Sequence, residues 1–308
     1  MDKCFLSQGY KFISVSSICA LLISALTFSS CDSKISQKDF DIQGHRGARG
    51  LFPENTIPSF IRAIENGATT LELDLALTAD SLLVISHEPW LSSEICLDSL
   101  GNNLSNDVSE RYNLYHMYYS YIQKFDCGSK RHPHFPSQEK IPAVKPLLSD
   151  LLDTLDQLSI RIPINVEIKS RIEWDGKYYP SIQFLVQQLL ELLSTYQYQS
   201  LSIIQSFDTR PLQYLNTMDY PGKIALLISN DEDLFSKLNQ LQFKPHILSP
   251  HHKMVDPELS SRIHENDIEL IPWTVNDKRR MKELIEMGVD GIITDYPNRL
   301  KQVFDEYN

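Results

Sequence analysis

Thr70-Leu71-Glu72-Leu73-Asp74-Leu75-Ala76-Leu77-Thr78-Ala79-Asp80-Ser81-Leu82-Leu83-Val84-Ile85-Ser86-His87 decides the fold. Two apolar runs, Thr70–Leu75 and Leu82–Ser86, are joined by Thr78-Ala79-Asp80-Ser81. That link is far too short for a parallel crossover, which needs a dozen or more residues. The second run is therefore the return arm of a hairpin. A turn centred on Asp80-Ser81 sets Asp74 almost opposite His87.

Outward from this hairpin the chain alternates short apolar runs with helical segments. The other expected strands are Asp41–Gly44, Ile162–Ile168, Leu201–Gln205, Lys223–Ile228, His246–Ser249, Ile268–Thr274 and Val289–Thr294. Helices are expected between most of them, several opened by start signals: Asn55 before Thr56, Ser149-Asp150, Asp208-Thr209, Asp256-Pro257 and Asn276-Asp277. Nine strands are one too many for a (β/α)8 barrel, and setting the hairpin arm aside leaves eight. The fold class is thus α/β, a TIM (β/α)8 barrel over 41–308. It carries an antiparallel hairpin strand and, after it, an insertion at about 91–145. This polar, tyrosine-rich stretch reads as a lid that shapes substrate choice, or as a packing flap.

The first thirty residues are of another kind. Lys3 and Lys11 precede an uncharged, mostly apolar run, Phe12–Phe28, then Ser29, Ser30 and Cys31. This pattern predicts a lipoprotein-type signal peptide over 1–30, with lipidation at Cys31 and a polar tether over 31–40. The alternative is an uncleaved membrane anchor. An acylated Cys31 makes a lipid-anchored protein facing the periplasm, held at a membrane when two or more chains are attached. Of five cysteines, Cys96 and Cys127 then remain for a possible disulfide in an exported protein, or as free thiols.

The net charge of −11 and the lack of a basic cluster exclude an obvious nucleic-acid surface. An anionic substrate needs local positive charge or a cation. Glu72 and Asp74 share a strand face, as do Asn165, Glu167 and Lys169. Charged pairs on apolar strands are costly unless paired or metal-bound. Glu72, Asp74 and Glu167 form an all-oxygen set suited to Ca²⁺ or Mg²⁺. The competing reading is an ion-pair cluster with Arg46 and Lys169. His45 and His87 have the right side chain for proton transfer near neutrality. Arg46 offers a planar fork to phosphate oxygens and Lys169 a point charge.

His45-Arg46-Gly47, Pro53-Glu54-Asn55-Thr56, Glu72-Leu73-Asp74, Ser86-His87, Val166-Glu167-Ile168-Lys169, Gln205-Ser206-Phe207-Asp208, Trp273-Thr274-Val275-Asn276 and Gly291-Ile292-Ile293-Thr294-Asp295-Tyr296-Pro297 follow one another along the chain. In this order they resemble the motifs of the glycerophosphodiester phosphodiesterase family, in its bacterial lipoprotein-type form. The resemblance implies a TIM barrel that releases sn-glycerol 3-phosphate and an alcohol. It also implies His45 and His87 as acid and base, Arg46 and Lys169 on the phosphate, and Glu72, Asp74 and Glu167 on a divalent cation. Trp273 lines the glycerol pocket in this reading, and Phe207 is a second candidate for the substrate pocket. The family usually has His-Asp where this chain has His87-Glu88; Glu88 keeps the charge. Two alternatives stand beside it. One is a phosphodiesterase for lysophospholipid or phosphoinositol headgroups, and the other a non-catalytic lipoprotein that captures glycerophosphodiesters. Asn55 reads equally as a helix cap and Asp295 as a helix-start residue. His132, His134, His251 and His252 read as surface groups.

Overall fold

The computed structural model describes residues 40–105, 111–229 and 231–307. The signal peptide, Cys31 and the tether up to residue 39 lie outside these residues. Strands β1 (Asp41–Gly44), β2 (Thr70–Leu77), β4 (Ile164–Ile168), β5 (Ser202–Ser206), β6 (Lys223–Ile228), β7 (Ile247–Pro250), β8 (Glu269–Leu270) and β9 (Gly291–Thr294) form one parallel sheet. Its order is β8-β7-β6-β5-β4-β2-β1-β9, and β3 (Leu83–Ile85) pairs antiparallel with β2. The expected hairpin and the expected eight barrel strands are both present.

The seam between β8 and β9 is closed by single backbone bonds rather than a ladder. Asp290 N–H donates to the Leu270 carbonyl at 3.0 Å, Ile293 N–H to Pro272 at 3.0 Å and Val275 N–H to Ile293 at 3.0 Å. Pro272 has no N–H to give, which explains why β8 is two residues long where Ile268–Thr274 was expected. The hairpin register also differs from expectation by one residue. Leu75 faces Ile85 and Ser86 N–H donates to the Asp74 carbonyl at 2.9 Å, so Ser86, not His87, stands opposite Asp74.

Leu71, Leu73, Leu75, Val166, Ile168, Ile204, Leu226, Leu248 and Ile292 point outward into the main core against the helices. Inside, the barrel is divided. Ile203, Ala225, Ile247, Ile271 and Ile293 fill one half with apolar side chains. Gln43, Glu72, Asn165 and Gln205 fill the other with a hydrogen-bonded chain: Asn165 Nδ2 donates to Gln43 and Gln205, and Gln205 Nε2 to Glu72 Oε1 at 2.9 Å. Each polar group in this half costs free energy unless paired, so the chain braces Glu72 from below.

Helices start largely where the sequence places them. Asp208 accepts from Arg210 N–H and Asp256 from Leu259 N–H. Three starts shift: Asp277 caps the helix after β8, Thr56, not Asn55, caps the helix Ile57–Glu65, and the helix expected from Ser149-Asp150 opens at Leu148 with Asp150 Oδ2 accepting the Leu147 N–H at 2.9 Å. The insertion has a small core of its own, with Leu91, Ile95, Leu104, Leu114, Ile122 and Phe125 packed on Ala76 and Val84 of the hairpin. A Cys96–Cys127 disulfide crosses it. Among the described residues no helix is long and apolar enough to cross a membrane.

Candidate active site

The site is built at the carboxyl ends of the strands, where loops of a TIM barrel gather functional side chains. After β1 the chain turns sharply: Arg46 has φ +50° and Gly47 φ +85°. A Cβ on Gly47 would lie 2.5 Å from Ser59 Oγ and 2.7 Å from the Ser59 carbonyl carbon, so only glycine lets the loop seat against the following helix. The turn aims the Arg46 backbone N–H at Glu72 Oε2, 2.8 Å away. It also carries the guanidinium to Glu54 (2.8 Å) and Asp74 (3.3 Å). Asn55, itself at φ +55°, does not cap a helix. Its N–H donates to the Arg46 carbonyl at 3.0 Å and its Nδ2 to Asp74 Oδ2 at 2.8 Å.

Glu72, Asp74 and Glu167 are all buried, and each offers one oxygen within 4.8 Å of the others. The β2–β4 register, with Asp74 opposite Glu167, brings them together. Lys169 Nζ lies 3.1 Å from Asp74 and 2.8 Å from Glu167. Charge counting bears on the two readings of the cluster. Arg46 and Lys169 cannot neutralise three carboxylates, and Arg46 is shared with Glu54 as well. The excess falls on Glu72, whose pKa is pushed well above the ordinary carboxylate range by burial first, then by Asp74 and Glu167. Burial and Asp74 likewise raise Glu167, against Lys169. Burial would raise Asp74 too, but Lys169 and Arg46 outweigh it and hold Asp74 well below that range. Asp74 Oδ1 is buried and faces the Lys169 ammonium at 3.1 Å. Three hard carboxylate oxygens this close together fit a divalent cation.

Each histidine is fixed through Nδ1 by a carboxylate. His45 Nδ1 is 2.7 Å from Asp295 Oδ1, and His87 Nδ1 is 2.6 Å from Glu88 Oε1. Nε2 is thereby freed for a ligand in both rings. Asp295 is therefore a histidine-orienting carboxylate and not the helix-start residue expected from the sequence. It also accepts from Arg49 (2.7 Å) and Asn276 (2.6 Å). Burial, reinforced by Arg49, lowers His45 to about 4 against the pull of Asp295. Burial alone would raise Glu88, but the bond to His87 prevails and lowers it.

His45, Arg46, Glu72, His87, Glu167, Lys169, Phe207 and Trp273 line one cleft of about 900 Å³. Asp74 is fully buried and is joined to the cleft through Lys169 at 3.1 Å. Phe207 and Trp273 meet edge to face at 5.3 Å, and Trp273 Nε1 is fixed by the Ser249 carbonyl at 2.8 Å. His251, expected at the surface, is half-buried with its ring 5.4 Å from Trp273. Trp90, Ile172 and Trp174 stand at another wall. Among the described residues of 91–145 none lines the cleft, so these form no lid over it. The insertion touches the site from behind through His132, which is buried rather than at the surface and bonds Glu54 at 3.3 Å. Sequence reading missed Arg49, Asp295 and His132. A second arginine in Gly44–Gly50 and an aspartate directly after β9 are the signals that point to the first two; His132 has none.

Residues 45–299 match the model of the glycerophosphoryl diester phosphodiesterase family. The chain belongs to this family. The family's chemistry makes it a phosphoric diester hydrolase. It is 33% identical over 257 residues to a glycerophosphodiester phosphodiesterase of Caldanaerobacter subterraneus subsp. tengcongensis, covering 83% of this chain and 94% of that one. A rat lysophospholipase D is 23% identical over 295 residues, 84% of each chain. The fold resembles the crystal structure of a protein assigned as a glycerophosphoryl diester phosphodiesterase from Silicibacter pomeroyi, with TM-score 0.78, 26% identity and coverage of 87% and 93%. It also resembles an Oleispira antarctica phosphodiesterase solved with sn-glycerol 3-phosphate, with TM-score 0.68, 21% identity and coverage of 86% and 96%.

Proposed function

We propose that this enzyme hydrolyses glycerophosphodiesters to sn-glycerol 3-phosphate and an alcohol, using His45 and His87 for proton transfer. The observation that carries this reading is the pair of carboxylate-fixed histidines lining one cleft together with Arg46, Lys169, Glu72 and Glu167. Glu72, Asp74 and Glu167 would hold Ca²⁺ or Mg²⁺, which supplies charge stabilisation to the phosphoryl group. Arg46 and Lys169 bind phosphate oxygens. Phe207 and Trp273 pack against the glycerol carbons.

Burial holds His45 at about 4 against the pull of Asp295, which suits it to the proton-acceptor role. It takes the proton of a glycerol hydroxyl as that oxygen bonds to phosphorus. The bond from phosphorus to the alcohol oxygen breaks, and His87, the more exposed of the two rings, protonates the departing oxygen. Water then opens the cyclic phosphate with the roles reversed, which returns both rings to their starting states. The anchoring reading stands with this one: export, lipidation at Cys31 and a site facing the periplasm, close to the membrane that yields deacylated phospholipid.

A second reading, hydrolysis of lysophospholipids, is favoured by the apolar cleft wall of Trp90 and Trp174 and by Ile172, 74% exposed at its edge. The experiment is release of sn-glycerol 3-phosphate from glycerophosphocholine and glycerophosphoethanolamine, with Ca²⁺, Mg²⁺ or EDTA, alongside choline release from lysophosphatidylcholine. Metal-dependent release of sn-glycerol 3-phosphate supports the first reading. Choline release from the lysolipid alone moves the assignment to the second, and turnover of neither by folded protein refutes both. His45→Ala and His87→Ala should each slow turnover by about 100-fold or more.

A further inference from the structure

The insertion leaves the cleft, yet one loop of it reaches the phosphate-binding residues from the far side. This loop, residues 128–143, is closed at its neck. Cys127 N–H donates to the Ala143 carbonyl at 2.7 Å, and Asp126 Oδ1 accepts the N–H groups of Gly128 (2.9 Å), Ser129 (3.0 Å) and Ala143 (3.2 Å). Its tip is seated on the loop after β1. Gln138 Nε2 donates to the Arg49 carbonyl at 2.6 Å and Glu139 N–H to the Leu51 carbonyl at 2.8 Å. The Arg49 guanidinium lies 4.9 Å from the centre of the Phe135 ring.

Between neck and tip, His132 is 7% exposed. Its Nδ1 accepts the N–H of His134 at 3.1 Å. The ring proton is therefore on Nε2, and Nε2 faces Glu54 Oε2 at 3.3 Å. The other oxygen of Glu54 holds Arg46 at 2.8 Å. A carboxylate gripped on both oxygens has one orientation; without His132, Oε2 keeps only the looser pairing with Arg49 Nη1 at 3.8 Å, and Glu54 would have more.

We propose that the 128–143 loop positions the phosphate-binding arginine, with His132 fixing Glu54 and Glu54 fixing Arg46. His132 is a positioning residue: it touches neither cleft nor substrate. The inference rests on the assignment of Arg46 to the phosphate. It gives the insertion a task that neither a lid nor a packing flap performs, since substrate affinity becomes dependent on a segment outside the barrel.

The test compares His132→Ala, His132→Gln and His132→Asn with the wild-type enzyme. Glutamine can donate to Glu54 and asparagine is too short to reach it, so the pair separates the bond from general folding. KM for glycerophosphocholine, and the Kd of sn-glycerol 3-phosphate by calorimetry, should rise about tenfold in His132→Ala and His132→Asn, the weight of one hydrogen bond to a charged group. His132→Gln should restore both to within about twofold. In a Glu54→Gln background, removing His132 should change neither. Wild-type KM and Kd in His132→Asn, or an undiminished effect of His132 removal without Glu54, overturns the positioning role while leaving the function intact. A wild-type enzyme that neither turns over the diester nor binds sn-glycerol 3-phosphate overturns the phosphate assignment itself.

Discussion

Asp295 Oδ1 lies 2.7 Å from His45 Nδ1, although 250 residues separate the two. The closing strand of the barrel thus orients the histidine that follows the opening strand. Asp295→Asn keeps the shape and removes the charge. A donor amide facing Nδ1 would favour the wrong tautomer, with the proton on Nε2 where a base is needed. Turnover should fall by a factor on the order of 10²–10⁴, by analogy with the carboxylate of a catalytic triad, with KM little changed. Steady-state kinetics read this, and a variant within about threefold of wild type would remove Asp295 from the machinery.

Acid should destabilise the enzyme from mildly acidic pH downward. His45 falls from 6.5 to about 4 on folding, so between those values the unfolded chain takes the proton and the folded one does not. Stability is full above pH 6.5, declines as pH falls to 4 and levels off below, a loss of about 3 kcal/mol from this ring. Denaturant titrations at pH 7.5, 5.5 and 4.5 measure it. In His45→Gln the decline across that window should shrink, and an unchanged slope would assign the acid sensitivity to other groups.

The fold was legible because its signals are local. An apolar alternation names Lys223–Ile228 to the residue, and four linking residues force the Asp80-Ser81 hairpin. The register slip at His87 was not legible, because counting from a turn fixes a pairing only to about one residue. The candidate chemistry was legible where two charged groups share a strand face, as in Glu72 and Asp74. Asp295 and His132 were not. Each looks ordinary in its own stretch, and its partner, His45 or Glu54, is brought to it only by barrel closure or by the insertion's tertiary path.

Cation binding should release protons. Glu72 is held well above the ordinary carboxylate range by burial and by Asp74 and Glu167, and a divalent ion favours its ionised form. Affinity for Ca²⁺ or Mg²⁺ should therefore tighten as pH rises until Glu72 is ionised without the metal. Calorimetry in buffers of different ionisation enthalpy counts the protons. Glu72→Gln should weaken binding and abolish the release that comes from this residue. Equal release in wild type and variant would exclude Glu72 as the proton source.

The Cys96–Cys127 bridge should stabilise the insertion in particular. It closes a segment whose ends are 31 residues apart, and in the chain-entropy model such a loop is worth about 3.5 kcal/mol. The small core it crosses, around Leu91, Leu114, Ile122 and Phe125, is thin, whereas the barrel core is extensive. Reduction, or paired Cys96→Ser and Cys127→Ser replacement, should therefore raise amide exchange across the insertion more than in the barrel strands. Because Cys127 forms the neck of the loop that carries His132, the same change should raise KM by a larger factor than it lowers kcat. Loss of kcat with KM constant would show that the bridge supports the barrel and not the loop.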